Sequence, residues 1–140
     1  WKGDWLMKKI DKVGGVILKE KELLVVRKRT KDNREEYIIP GGKREGDETD
    51  FETLKRELSE EIQVELIKAS PFGGFDDIAI FENIPIHIEV YIAQIVGEPK
   101  CDSEIKDLVW IDKNYEQKGI KLGSVLGKFV VPKLVEMGLM

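Results

Sequence analysis

Three glutamates in one predicted helix lie close enough together to bind a divalent cation. Glu57, Glu60 and Glu61 occupy positions i, i+3 and i+4, which share one face of an α-helix. Carboxylates at this spacing repel one another and lower helix stability, whereas an ordinary solvated face would mix them with lysines. Carboxylate oxygens are hard ligands of the kind that Mg²⁺ and Mn²⁺ prefer. The spacing therefore predicts a metal site, and the alternative is a solvated helix face.

A glycine-rich loop over residues 40–43 precedes this helix. Its proline and two glycines interrupt regular structure and allow the backbone to approach a ligand closely. The carbonyl groups of the loop can then bind the metal, and its amide groups can bind phosphate. Arg27, Arg29 and Lys43 are candidates for additional phosphate contacts, and the alternative for them is a solvated strand edge.

The helix that carries the glutamates is predicted over residues 50 to about 63. Thr49 or Asp50 can cap its N-terminus, and acidic residues occupy its first turn. Apolar residues recur at steps of three or four and predict one buried stripe, which consists of Phe51, Leu54, Leu58 and Ile62. The glutamates lie off this stripe, so the helix can pack against a core and still present them to a ligand.

Strands are predicted on both sides of this helix. Residues 13–18 and 23–29 flank a turn-like segment and predict a β-hairpin. Residues 71–74 contain a proline and two glycines and are predicted to separate two strands. The other predicted elements are strands over residues 37–39, 64–69, 78–81, 86–95 and 105–111, and a closing helix over residues 122–137. This order predicts an α/β fold with a mixed β-sheet sandwiched between α-helices.

Polar residues also occur on the predicted strands. Lys28 and Lys31 are predicted to lie at the surface. His87 and Glu89 share one face of their strand, where they either line a ligand cavity or form an ordinary polar face.

The segment from residue 42 to residue 64 resembles the Nudix box, the motif of the Nudix hydrolase family. The motif consists of Gly, five residues, Glu, seven residues, and then Arg-Glu-apolar-x-Glu-Glu-x-Gly-apolar. Eight of its nine constrained positions agree, namely Gly42, Glu48, Arg56, Glu57, Leu58, Glu60, Glu61 and Val64. The exception is Gln63, which stands where the family usually has the glycine that ends the helix.

The resemblance to this family and its MutT-like members covers most of the chain, from residue 13 to residue 135. An arginine-bearing strand precedes the loop over residues 40–43, as is common in the family. Two downstream stretches also match, and these are Gly97-Glu98-Pro99 and Ser103-Glu104-Ile105 followed by Trp110. The resemblance therefore implies the Nudix fold.

The resemblance also implies roles for individual residues. Glu60 and Glu61 correspond to the principal metal ligands, together with the carbonyl group of Gly41. Glu57 corresponds to a further ligand or to the general base, and Arg56 holds it in place. The implied cofactor is Mg²⁺ or Mn²⁺.

Further residues are implied to support the site. Gly42 and Glu48 are structural members of the motif, and Glu48 connects the loop to the helix. Family members often add one more carboxylate from a downstream loop. Glu104 is the first candidate for it, and Glu98 and Asp102 are the next.

The function that the resemblance implies is that of a metal-dependent hydrolase. It would cleave the diphosphate linkage of a nucleoside diphosphate linked to another moiety, and nucleoside triphosphates, ADP-ribose and nucleotide sugars are all open as substrates. Subfamily markers are missing: residues 121–125 contain no Asn or Asp, Ala79 and Ile80 stand where a proline is common, and Phe81 is the aromatic closest to an expected tyrosine. The alternative is a catalytically silent, nucleotide-binding regulator module.

The composition predicts one globular domain over residues 1–140, with residues 1–6 as an N-terminal extension ahead of Met7. The net charge of -4 argues against a nucleic-acid duplex as a partner, because a basic surface supplies most of that affinity. Cys101 is the single cysteine, so an intrachain disulfide is excluded. His87 is the single histidine, so a multi-histidine metal site is also excluded.

The hydropathy pattern bears on the cellular setting. No apolar run approaches the roughly 20 residues that a transmembrane helix needs, so no membrane partner is predicted. A cytoplasmic protein is therefore expected, and the resemblance implies that its partner is a small nucleotide substrate. A homodimer is common in the family, and the choice between a monomer and a dimer is open.

Overall fold

The computed structural model describes residues 9–30, 34–79 and 83–140. In chain order, the elements are β1 (Ile10–Val16), β2 (Leu18–Lys19), β3 (Glu22–Lys28), β4 (Gly41–Lys43), α1 (Asp50–Ile62), β5 (Glu65–Ala79), β6 (Ile84–Val96), β7 (Ile105–Ile111), a 3₁₀ turn (Tyr115–Lys118), a π-helical turn (Leu126–Val130) and α2 (Val131–Glu136). Residues 1–6, Lys31, Ile80 and Phe81, which the sequence analysis named, lie outside the described residues. No helix within these ranges is long and apolar enough to cross a membrane.

The strands form a four-stranded and a three-stranded sheet. The four-stranded sheet has the order β4-β1-β6-β5, in which β1 and β6 are parallel and the other pairs are antiparallel. The three-stranded sheet has the order β2-β3-β7 and is antiparallel. The predicted mixed sheet with accompanying helices is confirmed, with the difference that its strands are divided between two sheets.

The predicted hairpin between residues 13–18 and 23–29 is wrong in its first strand. β1 belongs to the four-stranded sheet, whereas β3 belongs to the three-stranded sheet. The chain passes between the sheets at Ile17, and the short strand β2 is the hairpin partner of β3. Glu20 and Lys21 have φ values of 51° and 67°, as the two central residues of a type I′ hairpin turn require.

The predicted break at residues 71–74 is also wrong. β5 continues through this segment and stays paired with β6. Register shifts between Leu66 and Lys68 and between Pro71 and Gly73 mark bulges or irregularities that absorb the extra residues. β5 lies at the edge of its sheet, where a proline is tolerated because its missing N–H group can face solvent.

Helix α1 has a hydrogen-bonded cap at each end. Thr49 Oγ1 accepts a hydrogen bond from the Glu52 amide at 3.2 Å, and Glu52 Oε1 accepts one from the Thr49 amide at 3.0 Å. These two bonds form a capping box, so Thr49 rather than Asp50 is the N-cap. Gln63 caps the C-terminus with a φ of 57°, in the left-handed conformation that glycine adopts most easily.

The apolar stripe of α1 packs against both sheets. Leu54, Leu58 and Ile62 are fully buried and share one core cluster with side chains of β1 and β3, among them Val13. Phe51 is 40% exposed, so its predicted place in the buried stripe is wrong. The stripe therefore reaches the core only from the second turn of the helix onward.

The closing helix predicted over residues 122–137 is shorter and irregular. Helical conformation begins at Ser124, passes through the π-helical turn and continues as α2. Pro132 lies in the first turn of α2, where its ring would clash with the carbonyl group of Lys128 in a regular α-helix. The π-helical turn lies at this point of the chain, and side chains from it and from α2 fill the second core cluster.

Candidate active site

Arg56 and Glu48 join the loop after β4 to helix α1. Arg56 Nε and Nη2 donate hydrogen bonds to the two carboxylate oxygens of Glu48 at 2.8 and 2.9 Å. Glu48 Oε1 also accepts hydrogen bonds from the Glu45 amide and the Thr53 hydroxyl, and the Lys43 carbonyl accepts one from Arg56. The Arg56 guanidinium and the Glu45 amide lower the pKa of Glu48 to about 2.

The same guanidinium reaches two of the glutamates singled out from the sequence. Arg56 Nη1 donates a hydrogen bond to Glu57 Oε1 at 2.8 Å and lies 3.6 Å from Glu60 Oε2. Glu57 is largely buried, with 14% of its side chain exposed, whereas the Glu60 side chain is 55% exposed. Arg56 therefore partly neutralises the repulsion between these carboxylates.

Glu57 lies directly against the glycine-rich loop. A β-carbon placed on Gly42 would lie 2.5 Å from the carboxyl carbon of Glu57. Any residue with a side chain at this position would therefore displace the Glu57 carboxylate from the loop.

Glu61 is the most deeply buried member of the cluster, at 1% exposure. Its Oε1 accepts a hydrogen bond from the Gly41 amide at 2.9 Å. Gly41 has a φ of 151°, which favours glycine, and a side chain there would collide with the Val13 carbonyl. Glu61 Oε2 is buried without a hydrogen-bond partner. Burial raises the pKa of Glu61, although Lys28 and the Gly41 amide oppose this effect.

Lys28 connects Glu61 to Glu104. Its Nζ atom lies 3.2 Å from Glu61 Oε2 and 3.4 Å from Glu104 Oε1. The prediction that Lys28 is an ordinary surface residue is therefore wrong, and its side chain is 23% exposed. The sequence contained evidence for this position of Lys28, because side chains alternate between the two faces of a strand. Leu24 and Val26 therefore share a face with Lys28, and both pack in the core cluster that contains the apolar residues of α1.

The other downstream acids are placed differently. The Asp102 amide donates a hydrogen bond to the Glu61 carbonyl at 3.0 Å, and Asp102 Oδ2 accepts one from Gln63 Nε2. Glu98 is exposed at the end of β6. Of the three downstream candidates, Glu104 is the one whose carboxylate meets the cluster, through Lys28.

The three predicted phosphate-binding residues are not brought together. Arg27 contacts Asp107 at 3.2 and 2.7 Å and lies over the ring of Tyr37, away from the glutamates. Arg29 and Lys43 are exposed. These positions leave Arg29 and Lys43 accessible to a ligand and Arg27 paired within the protein.

A cavity lies beside the glycine-rich loop. A small pocket of about 80 Å³ against Gly41 and Gly42 borders a larger one of about 540 Å³, and the two share Lys12, Lys28 and Ile38 among their walls. The larger pocket also has apolar walls and several charged side chains, which include Ile10, Ile86, Leu122, Arg34, Glu36 and Lys128. Lys12, Arg34 and Glu36 were not predicted from the sequence, because their position around one cavity depends on the arrangement of separate strands and loops.

His87 and Glu89 do not line this cavity. The neighbouring residues Ile86 and Ile88 line its two pockets, and alternation along β6 places His87 and Glu89 on the other face. His87 Nε2 lies 2.7 Å from Glu89 Oε1, and Nδ1 lies 2.8 Å from Asp76 Oδ1. These two hydrogen bonds raise the pKa of His87.

A family model, described as the NUDIX domain, matches residues 8–117 of the chain. The chain belongs to the Nudix family. No curated protein matches the chain significantly. Membership identifies the chain as a Nudix pyrophosphohydrolase, an enzyme that acts on phosphoric anhydrides, as the sequence predicted.

Solved structures share the Nudix fold with this chain. The Escherichia coli ORF135 protein has 24% identity and a TM-score of 0.72, covering 95% of this chain and 91% of its own. The MutT protein from Methanosarcina mazei Go1 has 20% identity and a TM-score of 0.75, and the match covers 93% of this chain and 95% of the Methanosarcina protein. A third structure is that of a bifunctional NMN adenylyltransferase/ADP ribose pyrophosphatase from Francisella tularensis, complexed with AMP and a Mn ion. It has 20% identity and a TM-score of 0.70, and the match covers 97% of this chain and 45% of the Francisella protein.

Nudix hydrolases generally use divalent metals, and the donor set of this chain fits such a cation. The cluster consists of carboxylates, and one buried oxygen, Glu61 Oε2, lacks a hydrogen bond. In the part of the chain that the structure describes, no three acidic, His or Cys side chains already converge as a metal site. Instead, Arg56 and Lys28 contact the carboxylates.

Proposed function

We propose that this Nudix enzyme depends on Mg²⁺ or Mn²⁺ and cleaves the diphosphate linkage of a nucleoside diphosphate linked to another moiety. The observation that carries the proposal is the environment of Glu61. Its carboxylate is 1% exposed, the Gly41 amide donates a hydrogen bond to Oε1, and the Lys28 ammonium group lies 3.2 Å from Oε2, so this buried position favours a cation.

The proposed metal ligands are Glu57, Glu60 and Glu61 with the Gly41 carbonyl. All of them are hard oxygen donors, which suits Mg²⁺ and Mn²⁺ better than softer metals. When bound, a divalent cation would neutralise the diphosphate oxygens and stabilise the leaving phosphate. Arg56 keeps the carboxylate of Glu57 close to the loop, at 2.8 Å from its Nη1 atom.

The proposed general base is a carboxylate that accepts a proton from the attacking water. Glu57 is one candidate because Arg56 and Gly42 fix its position next to the loop. Glu104 is the other, because its side chain is 57% exposed and reaches the cluster from the loop before β7. No nucleophilic side chain is required, because phosphoryl transfer depends mainly on positioning and charge.

The cavity supports a substrate that has both an apolar and an anionic part. Ile38 and Ile86 offer an apolar surface, and Lys12 and Lys128 contribute positive charge, although Lys128 is also paired with Asp77 at 3.2 Å. Arg29 and Lys43 are exposed, directly follow the cavity-lining residues Lys28 and Gly42 in the chain, and remain proposed phosphate contacts. A nucleoside triphosphate, ADP-ribose and a nucleotide sugar all combine these features, so the proposal covers the three classes.

The test is a substrate panel assayed with Mg²⁺ or Mn²⁺. Nucleoside triphosphates, ADP-ribose, nucleotide sugars and dinucleoside polyphosphates are incubated with the protein, and released phosphate or nucleoside monophosphate is measured. We expect turnover of one class that requires the metal and falls at least about a hundredfold in Glu60→Gln.

The matched control is Glu65→Gln, which makes the same change at an exposed residue just beyond α1. It should keep wild-type turnover. Metal-independent turnover, or equal activity of Glu60→Gln and Glu65→Gln, would contradict the proposed metal site.

A further inference from the structure

Lys28 lies between the carboxylates of Glu61, a proposed metal ligand, and Glu104, a candidate general base. Its Nζ atom lies 3.2 Å from Glu61 Oε2 and 3.4 Å from Glu104 Oε1. These carboxylates come from different parts of the chain, α1 and the loop before β7, and Lys28 comes from β3. The Lys28 ammonium group therefore connects β3 to α1 and to the loop before β7 through ion pairs.

A positive charge is needed here because Glu61 is almost fully buried. The Gly41 amide donates a hydrogen bond to Oε1, and the Lys28 ammonium group lies 3.2 Å from Oε2. A buried carboxylate without a counter-charge strongly destabilises a folded protein. Lys28 therefore supplies in the metal-free protein the charge that a divalent cation would otherwise supply.

We propose that Lys28 holds the place of the divalent cation and leaves Glu61 when that cation binds. This inference rests on the metal-dependent function proposed above. An ammonium group and a divalent cation cannot both contact Glu61 Oε2 closely, because like charges a few ångströms apart repel strongly in a buried site. The Lys28 side chain also borders both pockets, so it has open space into which it can move.

The inference predicts that removing the lysine charge strengthens metal binding. Lys28→Gln and Lys28→Met both lack the competing cation, and Gln keeps an N–H donor for Glu61. We expect the substrate-free variants to bind Mn²⁺ roughly tenfold more tightly than the wild type, since this fold-change needs only a small part of the repulsion between close charges. Lys28→Arg keeps the positive charge, so its Mn²⁺ affinity should stay close to that of the wild type.

The experiment is calorimetric titration of Mn²⁺ into each protein without substrate. All proteins are titrated in the same buffer and at the same pH. The matched control is Lys106→Gln, which changes the net charge equally at an exposed residue of β7, the strand that pairs with β3. Its Mn²⁺ affinity should match that of the wild type.

The outcomes separate this inference from the proposed function. Tighter binding by Lys28→Gln, with wild-type affinity in Lys106→Gln, supports the inference. If the wild type binds Mn²⁺ and Lys28→Gln binds it equally or more weakly, the inference is overturned and the metal-dependent function stands. If the wild type binds no Mn²⁺, both are overturned.

A second measurement does not depend on the stability of any variant. A crystal structure of the wild-type protein with Mn²⁺ should have Lys28 Nζ out of contact with Glu61 Oε2. An ammonium group still in contact with Glu61 beside the bound ion would overturn the inference directly.

Discussion

The acidic cluster of the candidate site has two halves that are neutralised in different ways, and it consists of Glu48, Glu57, Glu60, Glu61 and Glu104. In the arginine half, Arg56 binds both oxygens of Glu48 at 2.8 and 2.9 Å. In the lysine half, Lys28 lies 3.2 Å from Glu61 and 3.4 Å from Glu104. A guanidinium is a planar fork that fixes its partners, whereas an ammonium is a point charge on a flexible stem. The first half is therefore suited to a fixed structure and the second to an exchangeable contact.

Glu48 and Glu61 also differ in the direction of their pKa shifts. Hydrogen bonds from Arg56 and the loop lower the pKa of Glu48 to about 2, so its charged form stabilises the fold. Burial raises the pKa of Glu61, so its charged form disfavours the fold despite Lys28. The ionised Glu48 of the arginine half therefore stabilises the fold, whereas the ionised Glu61 of the lysine half destabilises it at the position proposed to bind a cation.

The change with the largest expected effect is Glu61→Gln, which disrupts the lysine half. The amide oxygen can still accept the Gly41 hydrogen bond, but the negative charge for the proposed cation is lost. We expect hydrolysis to fall by at least about a hundredfold. The free energy of unfolding should change by less than ~2 kcal/mol, because the variant removes a buried charge whose pKa is raised, the amide keeps the Gly41 hydrogen bond, and Lys28 keeps its contact with Glu104.

Turnover assays and urea unfolding of the same preparation measure both effects. A large loss of stability together with the loss of activity would show that Glu61 acts as a structural residue. In that case the two halves of the cluster would not differ in role.

The next largest effect is expected for Arg56→Lys, which disrupts the arginine half. Lysine keeps the charge but cannot bind both oxygens of Glu48 in parallel. We expect a loss of about 1–3 kcal/mol in the free energy of unfolding and about a tenfold loss of turnover, because Glu57 also loses its partner. Chemical denaturation and substrate kinetics measure the two quantities.

Arg44→Lys is the matched control for this prediction. Arg44 Nε donates a hydrogen bond to Asp50 Oδ1 at 2.7 Å, and Nη1 lies 3.0 Å from Asp11, outside the glutamate cluster. This variant should lose stability and keep its turnover. If Arg44→Lys loses as much turnover as Arg56→Lys, the effect on activity does not come from the cluster.

The parts of the site that were predictable from the sequence depend on local geometry. Helix spacing places Glu57, Glu60 and Glu61 on α1, which ends one residue before the predicted boundary. Glu48 and Arg56 lie eight residues apart and are joined by a short turn and the start of one helix. Such contacts follow from the backbone of a single segment, whereas the catalytic roles of these residues stay predictions.

The parts that were not predictable depend on distant segments. Lys28 meets Glu61 only because β3 and α1 pack together, and the chain changes sheets at Ile17 within a run that looks like one strand. Pairing with β6 keeps β5 continuous through Pro71 despite its local preference for a break. The substrate class, a homodimer and a cytoplasmic location likewise stay predictions.

The smallest effect is expected for Glu48→Gln, and it concerns the pH dependence of stability. The pKa of Glu48 falls from its ordinary value of 4.5 to about 2 on folding. Its carboxylate therefore contributes stability that is complete above pH 4.5 and is lost as the pH falls toward 2. We expect the variant to be less stable than the wild type at neutral pH and to converge with it as the pH approaches 2.

Urea unfolding of both proteins across this pH range measures the difference. Glu45→Gln is the matched control, because Glu45 is 73% exposed and lies 3.6 Å from the same guanidinium, so its ion pair contributes little. Its stability should run parallel to that of the wild type at every pH. If the gap between Glu48→Gln and the wild type stays constant as the pH falls, the ionised carboxylate is not what stabilises the arginine half. The contrast with the buried Glu61 would then rest on hydrogen bonding alone.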